Sequence, residues 1–137
     1  MTFSNECTIR FSHCDPAGIV YFVNYFDMVN AVVEDWFGQA LRMPFQDLVL
    51  TRRLGFPVVS TGCQFFRPCA LGDRLVLELS LTHIGRTSIE FLIRGRVGDE
   101  HKLQVQHKVA MVSLDSLRAI PIPDDLREKM TPFLGSA

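Results

Sequence analysis

The segment His13-Cys14-Asp15-Pro16-Ala17-Gly18-Ile19-Val20-Tyr21-Phe22 sets three reactive side chains just ahead of a proline–glycine turn and a long apolar run. A carboxylate close to a helix start sits in the partial positive field of unpaired backbone N–H groups. That field keeps it ionised, as a nucleophile or general base must be. The same N–H groups can polarise a carbonyl and hold an oxyanion. The alternative for Asp15 is a plain turn or capping role, which is common for Asp before Pro-x-Gly. His13 and Cys14 raise a second idea, a Cys–His nucleophilic pair. If the segment is extended, neighbours point to opposite faces, so His13 and Asp15 share a face while Cys14 turns into packing as a small hydrophobe. His13 then either assists Asp15 or serves the structure alone. His83, His101 and His107 are scattered and receive no assignment.

These residues need elements to hold them. Cys7 to His13 alternates apolar and polar and reads as a strand, closed by the turn Asp15-Pro16-Ala17-Gly18. A helix follows over Phe22–Met43, about 30 Å long at 1.5 Å per residue. It carries one apolar stripe of Phe22, Phe26, Val29, Val33, Phe37 and Leu41, and a second of Tyr25, Met28, Val32 and Trp36. Two stripes imply a rod buried around most of its circumference. Gly38 marks a kink or an early end. Four strands come next: Val58–Arg67, Arg74–His83, Ser88–Val97 and Leu103–Leu114. In the second, Leu75, Leu77, Leu79 and Leu81 point one way and Val76, Glu78, Ser80 and Thr82 the other. Ile89, Phe91 and Ile93 face inward on the third, and Leu103, Val105, Val109 and Met111 partly alternate on the last. The short connections imply antiparallel neighbours. A terminal helix is expected over Asp124–Leu134. One sheet curling around the apolar helix satisfies both burial patterns, and its open edges would be covered by pairing with a second chain.

Composition narrows the function. The 137 residues suit one domain, with 47% hydrophobic and 21% charged side chains, which excludes intrinsic disorder for most of the chain. A formal charge of −1 argues against a nucleic-acid binder. Residues 1–50 carry −4, residues 51–118 carry +4 and residues 119–137 carry −1, so the basic stretch fits a local anionic ligand or is ordinary surface charge. Cys7, Cys14, Cys63 and Cys69 form no C-x-x-C pair, so zinc or dithiol chemistry is not indicated. The N-terminus lacks a signal-peptide pattern, and Asn24, Asp27, Asn30, Glu34 and Asp35 make the helix too polar for a lipid span. The expectation is a cytoplasmic protein with reduced thiols and no membrane association.

The run Asp15-Pro16-Ala17-Gly18-Ile19-Val20-Tyr21-Phe22-Val23-Asn24-Tyr25 resembles the active-site segment of the 4-hydroxybenzoyl-CoA thioesterase family. Pro57-Val58-Val59-Ser60 and Arg118-Ala119-Ile120 match further, and the order of elements agrees over nearly the whole chain. The resemblance implies an α+β hot-dog fold: one domain, an antiparallel sheet of about five strands wrapped around one long central helix, assembled as a homodimer or a dimer of dimers. It implies hydrolysis of an acyl-CoA thioester without metal or cofactor. Asp15 matches the catalytic aspartate, attacking the thioester or activating water. The N–H of Phe22 matches the oxyanion donor, and Gly18 lets the loop pass close to substrate. Arg86, Thr87, Ser88 and Arg118 match the positions that bind coenzyme A. Here the family's basic cluster is reduced to Arg86 with two hydroxyls.

The acyl pocket is expected along the helix, with His13, Tyr25 and Asn30 as substrate contacts; Tyr25, Phe26 and Val29 could equally be core. Asn30 stands where the 4-hydroxybenzoyl members carry a carboxylate, which points away from that particular substrate. Two other readings compete. A hot-dog dehydratase would need a His base in a different motif. A binding module for acyl-CoA or an acyl carrier protein would gain nothing from a carboxylate beside an oxyanion donor.

Overall fold

The computed structural model describes residues 1–135, which form an α+β arrangement around one antiparallel sheet. The strands are β1 (Phe3–Thr8), β2 (Leu54–Gly55), β3 (Val58–Phe65), β4 (Arg74–Ile84), β5 (Ser88–Val97), β6 (Glu100–Ala110) and β7 (Val112–Ser113). Five of them form the main sheet in the order β1-β4-β5-β6-β3, and β2 pairs with β7 apart from it. Alternation sorts their side chains. Leu75, Leu77, Leu79 and Leu81 are at most 3% exposed on β4, as are Ile89, Phe91 and Ile93 on β5 and Leu103, Val105 and Val109 on β6. Each such burial contributes about 1.5–3 kcal/mol, so this face drives the packing.

Helix α1 (Val23–Asp35) lies on that face. It is shorter than the expected Phe22–Met43, and it runs on as a wide π turn over Trp36–Ala40, which contains Gly38. Tyr25, Met28, Val29, Val32 and Val33 are buried, whereas Val23, Asp27, Asn30 and Glu34 are exposed. The rod is therefore covered on its sheet side and open on the other, not surrounded. Trp36 and Phe37 are both fully buried. The Trp36 indole meets Phe91 and Phe133 edge-on, at 5.4 and 5.6 Å between ring centroids.

The N-terminal strand differs from expectation. It ends at Thr8, and Phe11–His13 form a 3-10 turn in place of extended chain. Glu6 and Cys7 pair with Val76 and Leu75, so the alternation seen in sequence belongs to residues nearer the terminus. The last long strand stops at Ala110, and the chain then breaks into β7 against β2, an arrangement too short to leave a periodic pattern. The terminal helix is α2 (Asp124–Met130) with a 3-10 turn at Thr131–Phe133. No helix of the described residues is long and apolar enough to cross a membrane.

Strand β3 is an edge. Val58 through Phe65 are exposed except for half-buried Cys63, because one side pairs with β6 and the other side faces outward. Val59, Phe65 and the following Phe66 are 47–59% exposed.

Candidate functional site

The segment 13–22 folds as a tight loop whose shoulders pair with each other. Tyr21 N–H donates to the His13 carbonyl at 3.0 Å, and Asp15 N–H donates to the Ile19 carbonyl at 2.9 Å. Pro16 and Ala17 lead the turn, and Gly18 completes it at φ +77°, a conformation that favours glycine. The Asp15 carboxylate accepts the Ala17 N–H on Oδ1 at 2.8 Å, so the residue does cap its own turn. Its Oδ2 has no hydrogen-bond partner among the described residues. The turn role and a reactive role thus use different oxygens of one half-buried side chain.

The loop runs straight into α1. Phe22 is the helix N-cap, and the first backbone bonds of the helix are those of Asn24 N–H to Tyr21 and Tyr25 N–H to Phe22. The N–H groups of Phe22 and Val23 find no acceptor among the described residues. They are the orphan donors of a helix start, with the partial positive charge that goes with them.

The Phe22 ring meets Phe65 at 6.3 Å, and Tyr25 meets Phe65 at 5.5 Å. Together with Val20, Phe66 and Arg67 these rings line an open cavity of about 240 Å³. Tyr25 contributes its ring as wall. Its hydroxyl is turned inward and accepts the Cys69 N–H at 3.2 Å, and burial pushes the phenol well above its ordinary pKa. Burial also raises the thiols of Cys7, Cys63 and Cys69, which makes them poor nucleophiles near neutral pH.

The other expected residues fall elsewhere. Because His13 sits in a 3-10 turn, the extended-chain argument for a face shared with Asp15 does not hold. Its Nδ1 accepts the Arg10 N–H at 2.9 Å, and its ring lines a separate cavity of about 110 Å³ with Cys7, Asp27 and Met28. Cys14 packs against the core, its thiol 3.4 Å from the Arg10 carbonyl. Asn30 is exposed on α1, one turn beyond half-buried Phe26, with no hydrogen-bond partner among the described residues.

Arg86 and Thr87 lie in the β4–β5 turn, and Ser88 opens β5. Ile122 N–H reaches the Arg86 carbonyl, and Ser113 N–H reaches the Arg118 carbonyl, so both arginines border the segment 118–122. This is the far end of β4. The Asp15 loop is tied to the near end through Val20 N–H to Cys69 and Leu71 N–H to Gly18. Eleven residues of β4 separate the two ends, about 33 Å at the usual rise. One chain therefore holds the Asp15 loop and Arg86 at opposite poles.

Phe65, Phe66, Arg67 and Asn24 belong to this region without having been singled out. Asn24 was visible inside the Asp15 motif. The β3 aromatics carried no signal beyond strand alternation. Among the described residues, no three His, Cys, Asp or Glu side chains are placed to hold a metal.

A model of the thioesterase-like superfamily matches residues 9–130. The chain is 30% identical over 130 residues to a 4-hydroxybenzoyl-CoA thioesterase of Pseudomonas sp. (strain CBS-3), covering 88% of this chain and 91% of that one. It is 25% identical over 126 residues to a 1,4-dihydroxy-2-naphthoyl-CoA hydrolase of Nostoc punctiforme, covering 92% and 84%. Among solved structures, a 1,4-dihydroxy-2-naphthoyl-CoA thioesterase from Synechocystis superposes with a TM-score of 0.86 at 21% identity, covering 96% of each chain. The sheet packed on α1 is thus the hot-dog fold expected from the sequence.

Proposed function

The chain belongs to the thioesterase-like superfamily, and on that footing we propose that it is an acyl-CoA thioesterase using Asp15 as its reactive carboxylate. The single observation that carries the assignment of the site is local. A carboxylate with one oxygen unengaged stands in the loop that delivers the chain to two unpaired helix N–H groups. In the reaction, Asp15 Oδ2 attacks the thioester carbon and the carbonyl oxygen becomes an oxyanion held by the Phe22 N–H. The C–S bond breaks and coenzyme A leaves as a thiolate, a good leaving group that takes its proton from solvent. Water then cleaves the acyl–Asp15 anhydride to the free acid. In the alternative path Asp15 removes a proton from a water that attacks directly, with the same oxyanion and the same products. Both paths need water alone as co-reactant.

The aromatic cavity of Phe22, Tyr25, Phe65 and Phe66 suits a flat acyl group. The named relatives act on CoA esters of hydroxylated aromatic acids, which supports the same class here. Asn30, exposed and polar on the flank beyond Phe26, is the proposed contact for a substituent on that group.

Self-association supplies the coenzyme A contacts. Strand β3 is an open edge, and edge-to-edge antiparallel pairing of two copies about a two-fold axis sets the Phe65 end of one beside the Val58 end of the other. The Val58 end adjoins Ala110, Met111 and hence Thr87. The two-fold thus carries Arg86, Thr87, Ser88 and Arg118 of the second copy toward the Asp15 loop of the first. Arginine forks suit the phosphates of coenzyme A.

The test is thiol release from benzoyl-, hydroxybenzoyl-, naphthoyl- and aliphatic acyl-CoAs by wild type and Asp15→Asn. Turnover of an aromatic ester that falls at least ~100-fold in the variant supports the reading. Equal rates overturn it, as does coenzyme A ester binding with no release by wild type.

A further inference from the structure

Two neighbouring residues of α1, neither with a polar atom in the reaction as written, grip the Asp15 loop from its two sides. Asn24 Nδ2 donates to the His13 carbonyl at 2.8 Å, the same carbonyl that takes the Tyr21 N–H. This carbonyl closes the base of the loop, one residue before Cys14 and two before Asp15. The Tyr25 hydroxyl accepts the Cys69 N–H, and the Cys69 carbonyl accepts the Val20 N–H at 2.9 Å. That second chain of bonds fixes the other shoulder, five residues after Asp15. The first turn of α1 therefore ties the loop to the start of the same helix, where Phe22 is the N-cap.

We propose that Asn24 is a positioning residue for the Asp15 carboxylate, with Tyr25 as its counterpart on the opposite shoulder. The inference rests on the reading of Asp15 given above and adds the device that sets its distance from the oxyanion donor. The two bonds do different work from packing. The His13 carbonyl already has a backbone donor, so the loop can close without Asn24, and what the amide adds is restriction of the hinge at residue 13. A carboxylate free to swing by about 1 Å loses roughly 100-fold in rate without losing substrate affinity. The expected signature is accordingly a fall in kcat with KM nearly constant.

The experiment is a double-mutant cycle on turnover of a benzoyl-type CoA ester, using wild type, Asp15→Asn, Asn24→Ala and the double variant. Asn24→Ala is expected to lower kcat about 10- to 100-fold in the wild-type background, with KM within about threefold, and to cost less than about threefold when Asp15 is already Asn. Tyr25→Phe, which keeps the ring and removes the acceptor, should show the same dependence on Asp15 with a smaller loss. Asn24→Leu keeps the bulk of the side chain and helix propensity and removes the donor; it serves if the alanine variant does not fold. Its kcat should fall likewise, while urea unfolding stays near wild type. Losses that multiply in the double variant overturn the proposal, because Asn24 then acts independently of Asp15. An Asn24→Ala enzyme with wild-type kcat also overturns it and leaves the Asp15 reading intact. Wild-type turnover by Asp15→Asn removes both.

Discussion

His107 Nδ1 and Thr61 Oγ1 lie 3.1 Å apart across β6 and β3, a polar pair on a sheet face otherwise made of Phe91, Val105 and Val109. Burial lowers the His107 pKa from the ordinary 6.5, because the charged ring would lose water it cannot replace there. The unfolded chain then binds a proton that the folded chain refuses. The resulting stability is complete above the ordinary value and is lost as the pH falls below 6.5 toward the lower folded value. Urea unfolding at about pH 8 and about pH 5 should show a larger loss for wild type than for His107→Gln, which keeps a polar contact to Thr61 and cannot titrate. The same loss in both proteins would assign the effect to other groups.

Opposite poles for the Asp15 loop and Arg86 give a complementation test. In the proposed two-fold dimer, Asp15→Asn and Arg86→Ala homodimers should each be impaired, the second mainly in KM. Mixed and allowed to exchange, half of the dimers are hybrids, and each hybrid holds one site with both groups native. Activity at low acyl-CoA should recover to about a quarter of wild type, the share expected for random pairing in a two-fold dimer. No recovery, with exchange confirmed by mass spectrometry, would overturn the pairing that brings Arg86 of the second copy to the Asp15 loop of the first.

Gly95 sits on the inward face of β5, opposite Leu77 and Leu103. A methyl group there would overlap Leu103 Cδ2 and come 3.2 Å from Leu75 Cδ1. Both neighbours are themselves fully buried, so neither has room to yield. Gly95→Ala should destabilise the fold by about 1–3 kcal/mol through overpacking. Thermal unfolding measures it, and an unchanged midpoint would mean that the sheet accommodates the methyl.

Much of this architecture is readable from residue types. The leucines of β4 and the Ile–Phe–Ile series of β5 alternate strictly because one face is buried, and they fall where alternation places them. The turn at Asp15–Gly18 is equally plain, since proline and glycine act through local dihedrals. What escapes is set by partners far away in sequence. Cys7–His13 looks extended, yet only Cys7 and Thr8 have partners in β4, and the next residues coil once the ladder ends. The rod around Tyr25 and Phe26 reads as apolar all round because Phe22 and Phe26 border an open cavity and an uncovered flank instead of the core. Asn24 and Tyr25 act through backbone groups of His13 and Cys69, and a carbonyl or an amide leaves no mark in composition. His107 carried no signal because its meaning comes from Phe91 and Thr61 on neighbouring strands.

The widened turn at Trp36–Ala40 has a consequence for how this chain can vary in length. One residue more than an α turn needs is accommodated there, with Leu41 N–H reaching back to Trp36. That surplus lets two consecutive aromatic rings, Trp36 and Phe37, both enter the interior. Deleting a single residue between them and Leu41 would restore an α turn and leave the residues from Leu41 onward close to their present angular positions, because five residues of a π turn rotate about as far as four of an α turn. Leu41, now 2% exposed, would keep its place in the interior. Removal of one residue should therefore be tolerated at this bend, whereas a second inserted residue should not be.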